Sequence, residues 1–466
     1  MVAGGRRSAG IARDSARARF DLSAPRLLVG SFAALIAVGT TGFLVLPGLW
    51  IGERVGFVDA LFMATSAVCV TGLSVLDVSG RMTFLGQLWL LALIQLGGIG
   101  IVTLAALAAA ALGRRMSLEV EEVAAGPTVV MPEGGLRALV RSVVRVTFAI
   151  EAVGAALLWL DWRGALGSLG AIWPAVFHAV SAFCNAGFST FRDNLAGYAN
   201  DPATLAVIGL LIIAGGLGFL VFEDLQARLR GDRRRVTLHT RLVLLTTAVL
   251  IVGATPLYLF FEWNHTLAGH GLGASVANAA FMAVTPRTAG FNAVDYEQIS
   301  NPSLVLTLAL MWIGGSPGST AGGVKTTTVA LLALLFITRL RGRADVSFAN
   351  RSVPEATVQR AVGLAVGAIL LLFAFVFALL FTEIPGENIV ADRERFVHLV
   401  FEAQSALGTV GLSMNKTTDL SPPGRLLIVL LMFLGRVGPL AALEAMARRS
   451  RRKQPYRLGR EDVLVG

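Results

Sequence analysis

The sequence predicts an all-α polytopic membrane protein built from four M1–P-loop–M2 repeats, giving eight transmembrane helices and four re-entrant pore helices with fourfold pseudosymmetry around one pore. Three observations predict this. Of 466 residues, 55% are apolar and 15% charged, with a mean hydropathy of +0.69, against roughly 25% charged in a soluble domain. Leu27–Gly52 and Met82–Gly113 contain no charged residue, and each exceeds the ~20 residues that cross a hydrocarbon core. Finally, Phe-x-Ala-x-Ser/Thr begins at Phe62, Phe177, Phe281 and Phe401, each copy followed by a glycine, at Gly72, Gly187, Gly290 and Gly411. Units spaced at roughly one hundred residues are the mark of an internal repeat.

In chain order, residues 1–26 are a basic cytoplasmic arm, 27–113 the first repeat, 114–235 the second, 236–345 the third, 346–447 the fourth and 448–466 a basic cytoplasmic tail. First spans are expected near Leu27–Trp50, Val140–Leu160, Arg241–Phe261 and Ala361–Phe381, and second spans near Phe84–Leu112, Thr204–Phe222, Ser303–Ile337 and Leu426–Met446. Between them, each Phe-x-Ala segment is apolar for only about 10–15 residues, too short to cross. It fits a helix that enters and ends in irregular backbone, which a membrane tolerates only where it is buried or lines a watery path.

Arginines cluster in the arm, in the inter-repeat loops (Arg233, Arg234, Arg235) and in the tail (Arg448, Arg449, Arg451, Arg452). Because these segments alternate with acidic connections carrying Asp59, Glu262, Glu383 and Glu387, the net charge of +10 reads as topogenic and lipid-facing. No nucleic acid is implied, both termini are cytoplasmic, and the cell membrane is the expected location. No cleavable signal segment is expected, since Leu27 onward is long enough to span. Cys69 and Cys184 each precede a repeat glycine by three residues and are expected to be small packing residues rather than redox or metal groups.

The residues before the glycines carry the chemistry. The triplets are Val70-Thr71-Gly72, Asn185-Ala186-Gly187, Thr288-Ala289-Gly290 and Thr409-Val410-Gly411. All are neutral, so an ion would meet carbonyl dipoles rather than an acidic ring, which favours a monovalent cation over calcium. Thr409-Val410-Gly411-Leu412 approaches the Thr-Val-Gly-Tyr-Gly of potassium channels. In the second span of repeat 3, Gly314-Gly315-Ser316-Pro317-Gly318-Ser319-Thr320-Ala321-Gly322-Gly323 precedes Lys325. Proline and repeated glycine break a helix, so this stretch is expected to form a loop below the filter that obstructs the path as a gate. Its spacing mimics a phosphate-binding loop, but Val324 stands where the lysine belongs and no strand precedes it; no nucleotide is bound by this chain.

The second spans also share Gly97-Gly98-Ile99-Gly100, Gly215-Gly216-Leu217-Gly218, Gly314-Gly315 and Gly435-Arg436-Val437-Gly438, small residues that allow helices to approach or bend. Arg436 replaces a glycine at depth and is expected to stabilise or gate the loop. Glu151 is expected to be structural, paired with Arg145. Arg287 should point away from the filter and pair, and His178 should be a satisfied polar residue rather than a ligand.

These marks, with Ile94-Gln95-Leu96-Gly97-Gly98, Arg287-Thr288-Ala289-Gly290-Phe291-Asn292 and Phe433-Leu434-Gly435-Arg436-Val437-Gly438, resemble the Trk/Ktr/HKT superfamily of potassium transporters, and most nearly its Ktr-type (KtrB-like) membrane subunit. The resemblance covers Leu27–Met446. It implies K+ at the filter carbonyls, with glycine rather than serine at Gly72 favouring potassium. It further implies the intramembrane loop at Gly314–Gly323, the cavity arginine at Arg436, a homodimer with one pore per subunit, and regulation by a cytoplasmic nucleotide-binding ring of the KtrA/TrkA kind. The expectation is potassium uptake by a non-enzyme, with Na+ as a candidate co-ion in symport. The alternatives are the potassium-translocating subunit of an ATP-driven pump and a sodium-selective transporter. A lipid-modifying membrane enzyme lacks the clustered His, Asp or Glu it would need.

Overall fold

The computed structural model describes residues 24–111, 135–231, 236–384 and 389–438. The basic arm, the arginines at 233–235, the basic tail and the end of the last expected span lie outside these residues.

Each repeat supplies a first helix, a shorter pore helix and a second helix. In repeat 1 these are α1 (Ala24–Val45), α2 (Phe57–Val68) and α4 (Phe84–Ala111), with the single turn α3 (Val78–Arg81) on the connection. Repeat 2 has α5 (Gly135–Leu166), α6 (Ile172–Phe183), α7 (Pro202–Leu217) and α8 (Phe219–Leu229). Repeat 3 has α9 (Leu238–Glu262), α10 (Leu272–Val284), α11 (Asn301–Trp312) and α12 (Thr326–Leu340). Repeat 4 has α13 (Glu355–Glu383), α14 (Ile389–Gly408) and α15 (Pro422–Val437). Two strands, β1 (Ser347–Phe348) and β2 (Arg351–Ser352), form a hairpin between α12 and α13.

Among the described residues, the single unbroken helices long and apolar enough to cross a membrane are in the first helices: Leu28–Val45, Val140–Leu166, Leu238–Glu262 and Glu355–Glu383. The second helices of repeats 2 and 4 start at polar caps with proline in the first turn. The Asp201 side chain accepts from the amides of Ala203 and Thr204 ahead of α7, and Ser421 accepts from Gly424 ahead of α15. Both use proline where its missing N–H costs nothing.

Two expectations need correction. The span expected at Thr204–Phe222 is two helices, α7 and α8, bent by 96° at Gly218, whose φ of +88° a residue with a Cβ adopts only at a cost. Gly438, three residues after Gly435 as Gly218 is after Gly215, has φ +91° and caps α15. The fourth pore helix, α14, is 20 residues long rather than a short apolar segment, because Asp392, Arg393, Glu394 and Arg395 extend it with a charged first half. The break in the third second-span, by contrast, falls between α11 and α12 as its glycines and proline dictate, and α12 resumes at Thr326, directly after Lys325.

The second helices seat the pore helices through glycine. A Cβ on Gly97 would stand 2.1 Å from the Val68 carbonyl oxygen, one on Gly215 1.8 Å from that of Phe183, and one on Gly435 2.1 Å from that of Leu407. Each of these oxygens lies at the C-terminal end of the pore helix of the same repeat. The glycines are therefore contact points against backbone that cannot yield. Gly435→Leu is expected to lower the melting temperature in detergent, since overpacking of this kind costs about 1–3 kcal/mol or more; a melting curve superimposed on the parent would remove the packing role.

Candidate functional site

The four neutral triplets follow the C-terminal ends of α2, α6, α10 and α14. Their backbones share one conformation. The first residue of each triplet is left-handed although it carries a side chain: Val70 φ +55°, Asn185 +60°, Thr288 +69° and Thr409 +48°. The last is a left-handed glycine: Gly72 +96°, Gly187 +68°, Gly290 +74° and Gly411 +93°. Left-handed non-glycine residues cost free energy and persist only where the surroundings enforce them. Here the same departure recurs at the same register in all four repeats.

The triplets also contact one another in cyclic order. A Cβ on Gly72 would lie 2.4 Å from the carbonyl oxygen of Ala186, on Gly187 2.7 Å from that of Ala289, on Gly290 2.5 Å from that of Val410, and on Gly411 2.1 Å from that of Thr71. Each glycine thus abuts the carbonyl of the residue before the next repeat's glycine, and the fourth returns to the first. The result is a closed ring of backbone around one axis. The C-terminal ends of four pore helices add their negative dipole ends to it. The Thr71 and Thr409 hydroxyls are buried without hydrogen-bond partners, and no group of three or more His, Cys, Asp or Glu is placed to hold a metal among the described residues. The ring offers neutral oxygen to a weakly hydrated cation.

The hydroxyl of each Phe-x-Ala-x-Ser/Thr motif braces its loop, a role not read from the sequence. Ser66 accepts from the Gly72 amide at 3.1 Å and Ser405 from the Gly411 amide at 3.0 Å. Ser181 and Thr285 instead donate to the carbonyls of Phe188 and Phe291, at 2.8 and 2.5 Å. The Asn185 amide, oriented by its surroundings, donates to the Ala182 and Ile212 carbonyls at 3.0 and 3.1 Å. His178 is satisfied, with its ring nitrogens 2.8 Å from the Pro174 carbonyl and 2.8 Å from Ser189 Oγ. Arg287 is buried and turns toward Thr247 Oγ1 at 3.4 Å, a hydroxyl rather than an acidic partner. Cys69 and Cys184 are free and buried.

The chain between α11 and α12 crosses beside this ring. Its ends are pinched by the Gly314 amide donating to Val324 O at 2.8 Å and by the Ile313–Val324 bridge. One side is zipped to the α7–α8 hinge: Ser316 N donates to Gly216 O (3.0 Å), Thr320 N to Gly215 O (3.3 Å), and Phe219 N to Gly318 O (3.1 Å). Thr320 Oγ1 donates to the Phe183 carbonyl at 3.1 Å, and Ser316 and Thr326 hydroxyls lie 3.1 Å apart. On the other side a Cβ on Gly322 would meet Thr409 Oγ1 at 2.1 Å and one on Gly323 the Gly408 carbonyl at 3.0 Å. The loop therefore touches the C-terminal end of the second pore helix and, at Thr409, the fourth triplet. Gly215, Gly216 and Gly218 as its docking strip were not read from the sequence.

Two cations, the half-buried Lys325 and the buried Arg436, hold the loop by its carbonyls. Lys325 Nζ donates to Ala321 O at 2.7 Å and Gly322 O at 3.5 Å. Arg436 donates from one terminal nitrogen to Thr320 O and from the other to Gly97 O at 2.6 Å, with its guanidinium over the Phe32 ring at 5.8 Å. A planar fork can bridge two carbonyls on different elements where an ammonium cannot. Glu151 corrects the expectation of an Arg145 pair: its carboxylate accepts from Gln95 Nε2 at 3.0 and 3.2 Å.

Residues 11–450 match the TrkH family, described as cation transport proteins. The Enterococcus hirae potassium/sodium uptake protein NtpJ is 36% identical over 454 residues, covering 97% of this chain and 99% of the relative. The Bacillus subtilis Ktr system potassium uptake protein B is 35% identical over 430 residues, covering 91% and 93%. The crystal structure of the potassium transporter TrkH from Vibrio parahaemolyticus superposes with a TM-score of 0.72 at 18% identity, covering 92% of this chain and 86% of that one, so the fold is shared well beyond the reach of sequence. The chain belongs to the TrkH family of cation transport proteins, as a helical polytopic membrane protein.

Proposed function

We propose that this protein takes up potassium across the cell membrane through the ring formed by Val70–Gly72, Asn185–Gly187, Thr288–Gly290 and Thr409–Gly411, and that it is not an enzyme. The observation that carries this reading is the cyclic contact of the four glycines with the next repeat's carbonyl. A ring of carbonyl dipoles can replace an ion's hydration shell and select by the number and field of its oxygens. The relatives named potassium uptake and potassium/sodium uptake proteins support K+ as cargo and keep Na+ as a co-ion. Residues Gly314–Gly323 with Lys325 and Arg436 act as the gate, because the loop lies against the fourth triplet and the end of the second pore helix and is tied to fixed elements on both sides.

In the membrane the basic arm and tail face the cytoplasm, with the repeats divided at 27–113, 114–235, 236–345 and 346–447. The protein works as a homodimer, one pore per subunit, and a separate nucleotide-binding ring governs it; the word "system" in the Ktr relatives' names is consistent with such a partner. The test is rubidium and potassium uptake in cells lacking their own potassium uptake, with and without sodium and with the partner supplied. Saturable uptake lost in Gly290→Asp at retained expression is expected. Absence of uptake with the partner present would replace this reading with that of a pump subunit.

A further inference from the structure

One buried acid plays no part in the ring or the loop. Glu151, on α5, is 4% exposed and faces Gln95 on α4, the second helix of the preceding repeat. The Gln95 side chain uses both ends: Nε2 donates to the carboxylate, and Oε1 lies 3.6 Å from Cys184 Sγ, which in turn is 3.9 Å from Glu151 Oε1. Cys184 immediately precedes the Asn185-Ala186-Gly187 triplet. One helical turn beyond Gln95, a Cβ on Gly98 would stand 2.5 Å from the same sulfur. Helix α4 therefore seats its own pore helix through Gly97 and the neighbouring repeat's filter segment through Gly98 and Gln95.

This junction is unlike the other three. The residues two positions before the second-helix glycine in repeats 2, 3 and 4 are Ile213, Trp312 and Phe433, so none repeats the amide of Gln95. An acid in the span of a membrane protein is costly unless it is used, and here its oxygens accept from Gln95.

We infer that Glu151, acting through Gln95, is a positioning residue for ion specificity: it clamps α4, α5 and Cys184 into one unit and so fixes where the second filter triplet stands in the ring. This rests on the proposed potassium uptake and deepens it. The triplet's carbonyls select by distance, and removing the clamp frees one quarter of the ring while leaving all four triplets intact.

The test is rubidium uptake competed by sodium, in proteoliposomes carrying the full chain and normalised to transporter content. Glu151→Leu is expected to lower potassium-over-sodium discrimination by up to roughly tenfold, the upper scale of one net hydrogen bond, through a raised apparent potassium KM with a smaller change in maximal rate. Glu151→Gln, which keeps an acceptor for Gln95, is expected to restore most of it. Should Glu151→Leu not assemble, Gln95→Leu/Glu151→Leu removes both polar partners together and is expected to show the same loss of discrimination. Parental KM and discrimination in a folded variant lacking the clamp would overturn the inference. So would a Glu151→Gln protein as poorly selective as Glu151→Leu, which would assign the effect to charge. Parent protein that carries no potassium at all fails the uptake reading itself and is seen before any variant is compared.

Discussion

Gly290→Ser is expected to cost potassium-over-sodium discrimination by at least about tenfold, and it does so through two separate penalties. The residue stands at φ +74°, where an L side chain is disfavoured by about 1–2 kcal/mol. Its new Cβ would be 2.5 Å from the Val410 carbonyl oxygen and 3.0 Å from Gly411 Cα, so backbone must move. The atom that must move is itself one of the carbonyls of the ring. A tenfold loss of discrimination corresponds to only about 1.4 kcal/mol, less than the two penalties combined. The measurement is sodium competition against rubidium uptake. A second substitution, Gly253→Ser, serves as the control, because a Cβ there meets nothing within 4 Å and parental behaviour is expected. Parental selectivity in Gly290→Ser would remove that triplet from the ion path.

The second large effect is expected at the loop. Arg436→Ala removes the donors to Thr320 O and Gly97 O, and each such charge-assisted bond contributes about 1.5–3 kcal/mol. Without them the loop keeps its zip to the α7–α8 hinge but loses its tie to α4. Flux per molecule is expected to rise by roughly tenfold or more if that tie holds the path closed. Arg436→Lys should fall between, since one ammonium cannot span two carbonyls on separate elements. Deleting Gly314–Gly323 tests the same idea independently, and the pinch between Ile313 and Val324 leaves the cut ends close enough to join. Unchanged flux in both folded variants would dismiss the loop as an obstruction.

Sequence alone determined that this is a polytopic helical protein of repeated units, because the apolar runs and the recurring Phe-x-Ala-x-Ser/Thr…Gly pattern are local properties that a bilayer reads directly. It also located the four triplets, the broken helix before Lys325 and Arg436, since glycine, proline and an intramembrane arginine announce themselves by type. Partners across the fold were another matter. That Glu151 meets Gln95 rather than Arg145, that Arg287 reaches Thr247, and that Ser66 and Ser405 brace an amide while Ser181 and Thr285 brace a carbonyl are set by which side chains tertiary packing brings within 3.5 Å. The bend at Gly218 was only half legible: its glycines permit a bend, but the Pro317 carbonyl, 2.8 Å from where a Cβ would stand, and the hydrogen bonds from the loop to Gly215 and Gly216 and from Phe219 to Gly318 make the broken path the stable one. Spacing along a chain fixes which residues recur. Which carbonyl each glycine faces is decided only when four distant segments close on one axis.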